Sequence, residues 1–162
     1  LGANMIGVAG GPDKCQLALN NGYAHCIDRK NEDIIDQVKK ITGGAGVPVV
    51  YDSVGKDSFD ASLNSLKPMG MFVSFGTTTG EPPAVAPSTL QKMGSLFITR
   101  PTLVNYMAAT DDLKNSARQV FELLQQGVLN VTVGQRYKFE DVVRAHTDME
   151  AGATRGSSIL TL

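Results

Sequence analysis

The sequence predicts an α/β fold in which a parallel sheet is flanked by helices. Short apolar runs recur roughly every 20 to 25 residues, and the segments between them carry apolar residues at helical spacing. This alternation is typical of parallel strands that are joined by crossover helices. The chain has 162 residues, of which 42% are hydrophobic and 19% charged, so one globular core is expected.

The first two predicted strands are short and cover residues 4–9 and 24–27. Two glycines follow the first strand and allow a tight turn into a helix over 13–21. Pro12 suits the first position of that helix, because a first-turn N–H has no partner within the helix. The two strands and the helix between them therefore form one predicted βαβ unit.

The middle of the chain continues the same alternation. Continuous β-branched residues over 47–53 are typical of a strand that is covered on both faces. A helix over 31–41 precedes this strand, with Asn31 as its predicted cap. The later elements are a helix over 58–66 and strands over 71–75 and 96–99. A stretch rich in Pro and Thr over 77–87 predicts a binding loop.

The pattern changes near Gly127. Before it lies the longest predicted helix, which begins at Thr110 or Asp111 and ends near residue 126. After it come a strand over 131–137, a helix over 140–151 and a strand over 157–162. We therefore predict two parts of the chain, residues 1–127 and residues 128–162.

Composition and charge exclude several classes of function. The 15 basic residues are balanced by 16 acidic ones, and this net charge of −1 argues against nucleic-acid binding. No apolar run reaches the roughly 18 residues that span a membrane. Cys15, Cys26, His25 and His146 lack the spacing of a metal site. The sequence predicts a cytoplasmic protein without a metal centre, since unpaired thiols are typical of reducing compartments.

Candidate binding residues are those that directly follow the predicted strands. Ligands of open parallel sheets bind beyond the carboxyl ends of the strands. Small residues there allow a ligand to approach the backbone, and two cationic side chains supply positive charge. The set comprises Ala9, Gly10, Gly11 and Lys14 after the first strand, Asp28, Arg29 and Lys30 after the second, Ser53, Val54 and Gly55 after the third, Phe75, Gly76 and Thr77 after the fourth, and Thr99 and Arg100 after the fifth. It predicts an extended anionic ligand that carries a planar ring.

The same residues discriminate between two nicotinamide cofactors. In a dinucleotide site, an acid at the end of the fold's second strand favours a free 2′-hydroxyl, and basic residues favour a 2′-phosphate. Ala9 and Gly10 occupy this position, with Lys14 and Arg29 nearby, so NADP is favoured over NAD. Asp13 favours NAD instead, unless its role is to interact with the positive end of the dipole of the helix in whose first turn it lies. As an alternative, Lys14 and Arg29 are plain solvated charges. No nucleophile, base and acid set is present, so no catalytic residue is predicted.

Several sequence motifs resemble one enzyme family, in order and over essentially the whole chain. The motifs are Ile41–Gly44, Val49–Gly55, Val73–Gly76, Gly94–Leu103, Ala145–His146 and Gly156–Ser158. They are similar to the quinone oxidoreductases, the zinc-free, zeta-crystallin-like branch of the medium-chain dehydrogenase/reductase superfamily. The resemblance implies a Rossmann-like domain and an NADPH-dependent reductase that passes a hydride to quinones or enone-like carbonyls without a metal.

The resemblance also implies roles for individual residues. Lys14 corresponds to a family lysine that binds the 2′-phosphate, and Gly10 lies beside it. Along the cofactor, the implied contacts are Ser53 and Val54 at the adenosine and ribose, Phe75 and Gly76 at the pyrophosphate and nicotinamide ribose, and Phe97, Ile98 and Thr99 at the nicotinamide. Arg29 replaces the common Tyr of the family. Gly152 stands where relatives carry a phosphate-binding Arg, and Arg155 is the candidate replacement.

The family's first strand and its glycine-rich loop have no counterpart in the chain. The resemblance therefore implies a partial NADPH-binding domain over 1–127, and a segment over 128–162 that returns to a substrate domain. A strand is expected to be missing between the first and third predicted strands. We expect this gap to be filled by closure of the two sheet pieces, by a partner chain, or by the missing segment.

Expectations for activity and assembly follow from the same resemblance. The chain alone is expected to be catalytically inactive and to bind its cofactor weakly, while the parent protein is the enzyme. The strand that begins at Ser95 and ends at Thr99 is expected at a sheet edge, where it joins a homodimer. Two alternatives remain open. One is a non-catalytic module that binds nucleotides or dimerises, and the other is a zinc-free enoyl or alkenal reductase of the same superfamily.

Overall fold

The computed structural model describes residues 2–162, and the chain passes from one compact unit to a second between Met107 and Ala108. The first unit contains β1 (Ile6–Ala9), α1 (Pro12–Asn20), β2 (His25–Asp28), α2 (Ile34–Ile41), β3 (Val47–Asp52), α3 (Phe59–Asn64), β4 (Leu66–Ser74), α4 (Pro87–Lys92), β5 (Phe97–Thr99) and α5 (Leu103–Tyr106). The second contains α6 (Thr110–Gln125), β6 (Val133–Lys138), a 3₁₀ turn (Phe139–Asp141), α7 (Val142–Glu150) and β7 (Ser157–Thr161).

The strands of the first unit form two parallel sheets. One contains β1 and β2, and the other has the order β3-β4-β5, so that β5 lies at an edge. Within the first unit, no strand pairing in the described residues joins the two sheets. The predicted α/β fold is confirmed, and the break between the sheets lies at the predicted position.

A small apolar core holds α3 against the three-stranded sheet. Phe59 and Leu63 on α3 pack with Phe72 on β4 and with Leu96, and each of these side chains is at most 7% exposed. The rings of Phe59 and Phe72 meet edge to face, with centroids 5.8 Å apart. Burying each such side chain contributes about 1.5 to 3 kcal/mol. This packing fixes the neighbouring strands and therefore the loops at their carboxyl ends.

The start of α2 differs from the prediction. The helix begins at Ile34 and its cap is Asp33, whose carboxylate accepts a hydrogen bond of 2.9 Å from the Asp36 amide. The predicted cap, Asn31, instead donates its side-chain amide to the Asp28 carboxylate at 2.7 Å. Asn and Asp both cap helices well, so the hydrogen bond between Asn31 and Asp28 decides that Asp33 is the cap.

The middle of the second sheet also differs from the prediction. β4 begins at Leu66 rather than Met71, and its register against β3 shifts after Val47. Met69 adopts a positive φ of 60° within this irregular stretch, and its amide donates to the Gly94 carbonyl at 2.8 Å. Residues 67–70, which lie between a predicted helix and a predicted strand, therefore form an irregular start of a longer strand.

The second unit is organised around the parallel pair of β6 and β7. Tyr137 on β6 donates a hydrogen bond of 2.9 Å to the Asp148 carboxylate on α7, and the Arg144 guanidinium lies over the same ring. Burial, followed by the hydrogen bond with Asp148, raises the pKa of Tyr137. The assignment of residues 128–162 to a separate substrate domain stays a prediction. No described helix is long and apolar enough to cross a membrane.

Candidate functional site

Two cationic side chains converge on Gly10 where β1 and β2 end. A Cβ added to Gly10 would lie 3.6 Å from Nε and Nη2 of Arg29, and 3.6 Å from Cε of Lys30. Gly11 follows with a φ of +103°, which favours glycine, and α1 begins at the next residue. Lys14 is half-buried in the first turn of α1. The turn therefore combines small residues with nearby positive charge.

An aspartate at the end of β2 ties this turn together. The Asp28 carboxylate accepts hydrogen bonds from the amides of Gly11 at 2.7 Å and Lys30 at 3.1 Å, and from the Asn31 side chain. The Lys30 amide, followed by that of Gly11, lowers the pKa of Asp28 below its ordinary value of 3.8. Asp28 is therefore ionised at neutral pH, and its oxygens face donors of the protein.

The loops after β3 and β4 form a second group of candidate residues. A Cβ on Gly76 would lie 2.5 Å from the Ser53 carbonyl oxygen, so a side chain at this position would push the two loops apart. The Thr78 hydroxyl donates to the Ser53 carbonyl, and the Thr79 hydroxyl donates to the Val54 carbonyl, each at 2.9 Å. The structure therefore brings Ser53, Val54 and Gly76 together, and their role in binding stays a prediction.

Asp52 anchors these loops from below. Its carboxylate accepts hydrogen bonds from the hydroxyls of Ser58 and Ser62 on one oxygen, and from the amides of Val54 and Gly55 on the other. Burial raises the pKa of Asp52, but these hydrogen bonds outweigh burial and hold it below 3.8. The four donors engage the side chain, which leaves Asp52 as a structural anchor for the Ser53–Gly55 loop.

Aromatic and aliphatic side chains are exposed beside the loops. Phe75 is 51% exposed after β4, and Phe97 is 56% exposed on the neighbouring β5. Ile98 and Thr99 follow on β5, in register with Phe72 and Val73. These side chains offer apolar surface to a planar ring. Arg155 lies in the second unit, just before β7, and its predicted role stays a prediction.

Two contributors to the site, Thr78 and Thr79, were not singled out from the sequence, and a third, Lys30, was named only as a residue that follows a strand. Lys30 follows β2 next to Arg29, but only the folded turn shows that both side chains cross Gly10. Thr78 and Thr79 lie in the predicted binding loop, and the hydrogen bonds that they make to the Ser53–Gly55 loop span 25 residues. A run of three threonines after a strand was the available indication.

The cysteines contribute no reactive group to this site. Burial, followed by contact with the Cys15 thiol, raises the pKa of the Cys26 thiol to about 12, so Cys26 is a neutral thiol at pH 7. Across residues 2–162, no group of three or more His, Cys, Asp or Glu side chains is arranged to hold a metal ion.

Comparison with known proteins identifies the family. The model of the zinc-binding dehydrogenases matches residues 21–160. The chain belongs to this family. It is 44% identical to a quinone oxidoreductase of Salmonella typhimurium, over 99% of this chain and 50% of that relative. It is 37% identical to a 2-haloacrylate reductase of a Burkholderia species, over 99% of this chain and 48% of the relative.

Solved structures agree with this assignment. The crystal structure of Escherichia coli quinone oxidoreductase complexed with NADPH superimposes with a TM-score of 0.95 at 41% identity. That match covers 100% of this chain and 50% of the solved one. The chain thus spans about half the length of the curated relatives it matches. The predicted resemblance to quinone oxidoreductases is confirmed.

Proposed function

We propose that this chain is the NADPH-binding part of a quinone oxidoreductase. The observation that carries the proposal is the turn at Gly10, where Arg29 and Lys30 cross a backbone without side chains and Lys14 lies in the following helical turn. A 2′-phosphate needs cationic donors and close access to backbone amides, and this turn offers both. The NADPH complex of the Escherichia coli relative supports the same cofactor.

The remaining candidate residues fit an extended cofactor along the strand ends. Lys14 and Arg29 would bind the 2′-phosphate, Ser53 and Val54 the adenosine and ribose, and Phe75 and Gly76 the pyrophosphate and nicotinamide ribose. Phe97, Ile98 and Thr99 would border the nicotinamide, and Arg155 would replace the family's phosphate-binding Arg. The absence of a side chain at Gly76 lets the loops after β3 and β4 approach each other closely.

Bound NADPH supplies the hydride that reduces a quinone or an enone-like carbonyl. The residues of this chain bind and orient the cofactor, and exposed Phe75 and Phe97 exclude water from the face of the ring. No residue of the chain is assigned as a general acid or base. We propose that the substrate is chosen in the half of the protein that the chain does not span, and that the isolated chain is inactive.

A second reductase activity is supported by one comparison. The 2-haloacrylate reductase at 37% identity carries out its named reduction with a similar half-chain. An enoyl or alkenal reductase of the same family is therefore the second candidate function. A full-length protein that contains this chain should be assayed with 1,4-benzoquinone and with 2-chloroacrylate. A quinone reductase would turn over 1,4-benzoquinone faster, and an enoyl or alkenal reductase would turn over 2-chloroacrylate faster.

Calorimetric titration of the 162-residue chain with NADPH and with NADH, at fixed salt, tests the cofactor assignment. We expect micromolar binding of NADPH and much weaker binding of NADH. Lys14→Met should remove most of the difference, because it deletes one cation and keeps the side-chain length. Lys40→Met, on the exposed end of α2, is the matched control and should bind like the wild type. Equal affinities for the two cofactors in the wild type would contradict the proposal.

A further inference from the structure

Lys30 lies at the proposed phosphate position without an assigned role. Its Cε and the Arg29 guanidinium each lie 3.6 Å from the position that a Cβ on Gly10 would occupy. Both side chains are exposed, and neither forms a salt bridge with any residue in the described part of the chain. Lys30 interacts electrostatically with the Asp28 carboxylate, and its ammonium end lies with the Arg29 guanidinium beside the Gly10 backbone.

Asp28 determines the position of Lys30. One carboxylate oxygen accepts from the amides of both Gly11 and Lys30, so it links the turn after β1 to the turn after β2. The other oxygen is held by Asn31, and the Asp28 amide donates to the Glu32 carboxylate at 2.8 Å. Asp28 is only 8% exposed, so its charge is directed into these donors rather than toward solvent.

We propose that Lys30 is a further specificity-determining residue for a cofactor with a 2′-phosphate, and that Asp28 is the positioning residue that holds Lys30 over Gly10. The inference rests on the proposed function, because it assigns residues to the cofactor site proposed above. An ammonium group attracts a phosphate dianion and leaves a neutral ribose hydroxyl almost unaffected, so Lys30 acts on the choice between cofactors.

The first test uses the adenosine ends of the two cofactors as probes, 2′,5′-ADP and 5′-AMP, titrated into the full chain. Lys30→Met should weaken 2′,5′-ADP binding about tenfold, since a hydrogen bond to a charged group is lost, and should leave 5′-AMP within twofold. The dependence of 2′,5′-ADP binding on salt should also become shallower, because one screened charge is removed. Lys30→Arg should restore the affinity, and Lys40→Met should change neither probe. Unchanged 2′,5′-ADP binding in Lys30→Met would overturn the proposal.

The second test concerns Asp28. Asp28→Ala should free the amides of Gly11 and Lys30 and increase their hydrogen exchange, and should weaken 2′,5′-ADP by a factor similar to Lys30→Met. Asp28→Asn keeps an acceptor oxygen and should retain most of the affinity. Because Asp28 acts through Lys30, the double variant Asp28→Ala/Lys30→Met should bind like either single variant. If the two losses of 2′,5′-ADP affinity multiply in the double variant, Asp28 and Lys30 act independently and the positioning role of Asp28 is refuted.

These outcomes separate the inference from the proposed function. If the wild-type chain prefers 2′,5′-ADP and the Lys30→Met variant keeps that preference, the proposed function stands and the role of Lys30 is refuted. A wild-type chain that binds neither probe contradicts the proposed cofactor site, and the role of Lys30 falls with it. The hydrogen exchange of the Gly11 and Lys30 amides still reports in that case whether Asp28 holds the turn.

Discussion

At the scale of single residues, Asp52 carries the clearest prediction for stability. Its carboxylate accepts four hydrogen bonds, two from Ser58 and Ser62 and two from backbone amides. Asp52→Asn replaces one acceptor oxygen by a donor that faces other donors, which should lower the free energy of unfolding by about 1 to 3 kcal/mol at pH 7. Asp60→Asn, on the exposed face of the same helix, is the control and should stay within about 0.5 kcal/mol.

The effect of Asp52 should depend on pH in a defined direction. The folded pKa lies below the ordinary value of 3.8, so the ionised carboxylate stabilises the fold above that value. This stabilisation is lost as the pH falls from about 4 through the folded pKa. Urea unfolding of wild type and Asp52→Asn should therefore give a difference that shrinks below pH 4. A difference that is constant from pH 7 to pH 3 would show that packing, rather than charge, makes Asp52 important.

At the scale of secondary structure elements, β5 is expected to mediate assembly. It lies at the edge of its sheet, and Phe97 and Ile98 are exposed on it. An exposed apolar edge strand is a template for pairing with another chain, and here we propose a second copy. Light scattering should give twice the mass of one chain for the wild type. Ile98→Lys should shift the mass to that of a monomer, whereas Val143→Lys on the exposed face of α7 should not. A wild-type monomer at micromolar concentration would contradict this role of β5.

The elements also show which features a single sequence can predict. The strand over residues 47–53 was predicted correctly from its β-branched residues, but the expected cover on both faces was wrong, since Val49 and Tyr51 on β3 are exposed. The cap of α2 was predicted wrongly because Asn31 and Asp33 are equally suited, and contact with Asp28 decides between them. Arg29 was predicted from its place after a strand, but the convergence of its side chain with Lys30 on Gly10 depends on folding across about twenty residues.

At the scale of the whole molecule, the gap between the two sheets is the dominant feature. The described order, β2-β1 followed by β3-β4-β5, equals the doubly wound order 3-2-1-4-5-6 with its central strand left out. Val8 on β1 is 47% exposed, and Tyr51 on β3 is 70% exposed, so the flanking strands carry apolar surface that lacks a cover. Each backbone group that stays buried and unpaired there costs about 1 to 3 kcal/mol. One parallel strand in the gap would satisfy both edges.

Complementation in trans tests this interpretation. The half of the Salmonella typhimurium relative that this chain does not match, added as a separate polypeptide, should bind the chain and raise its melting temperature. Amides of β1 and β3 should then exchange more slowly, while amides of β4, which already pairs with β3 on one side and β5 on the other, serve as an internal control. NADPH affinity should rise in the same mixture, because strand ends now separated by the gap would be joined in one sheet. Slow exchange at β1 and β3 before any addition would instead show that the two sheets close on each other.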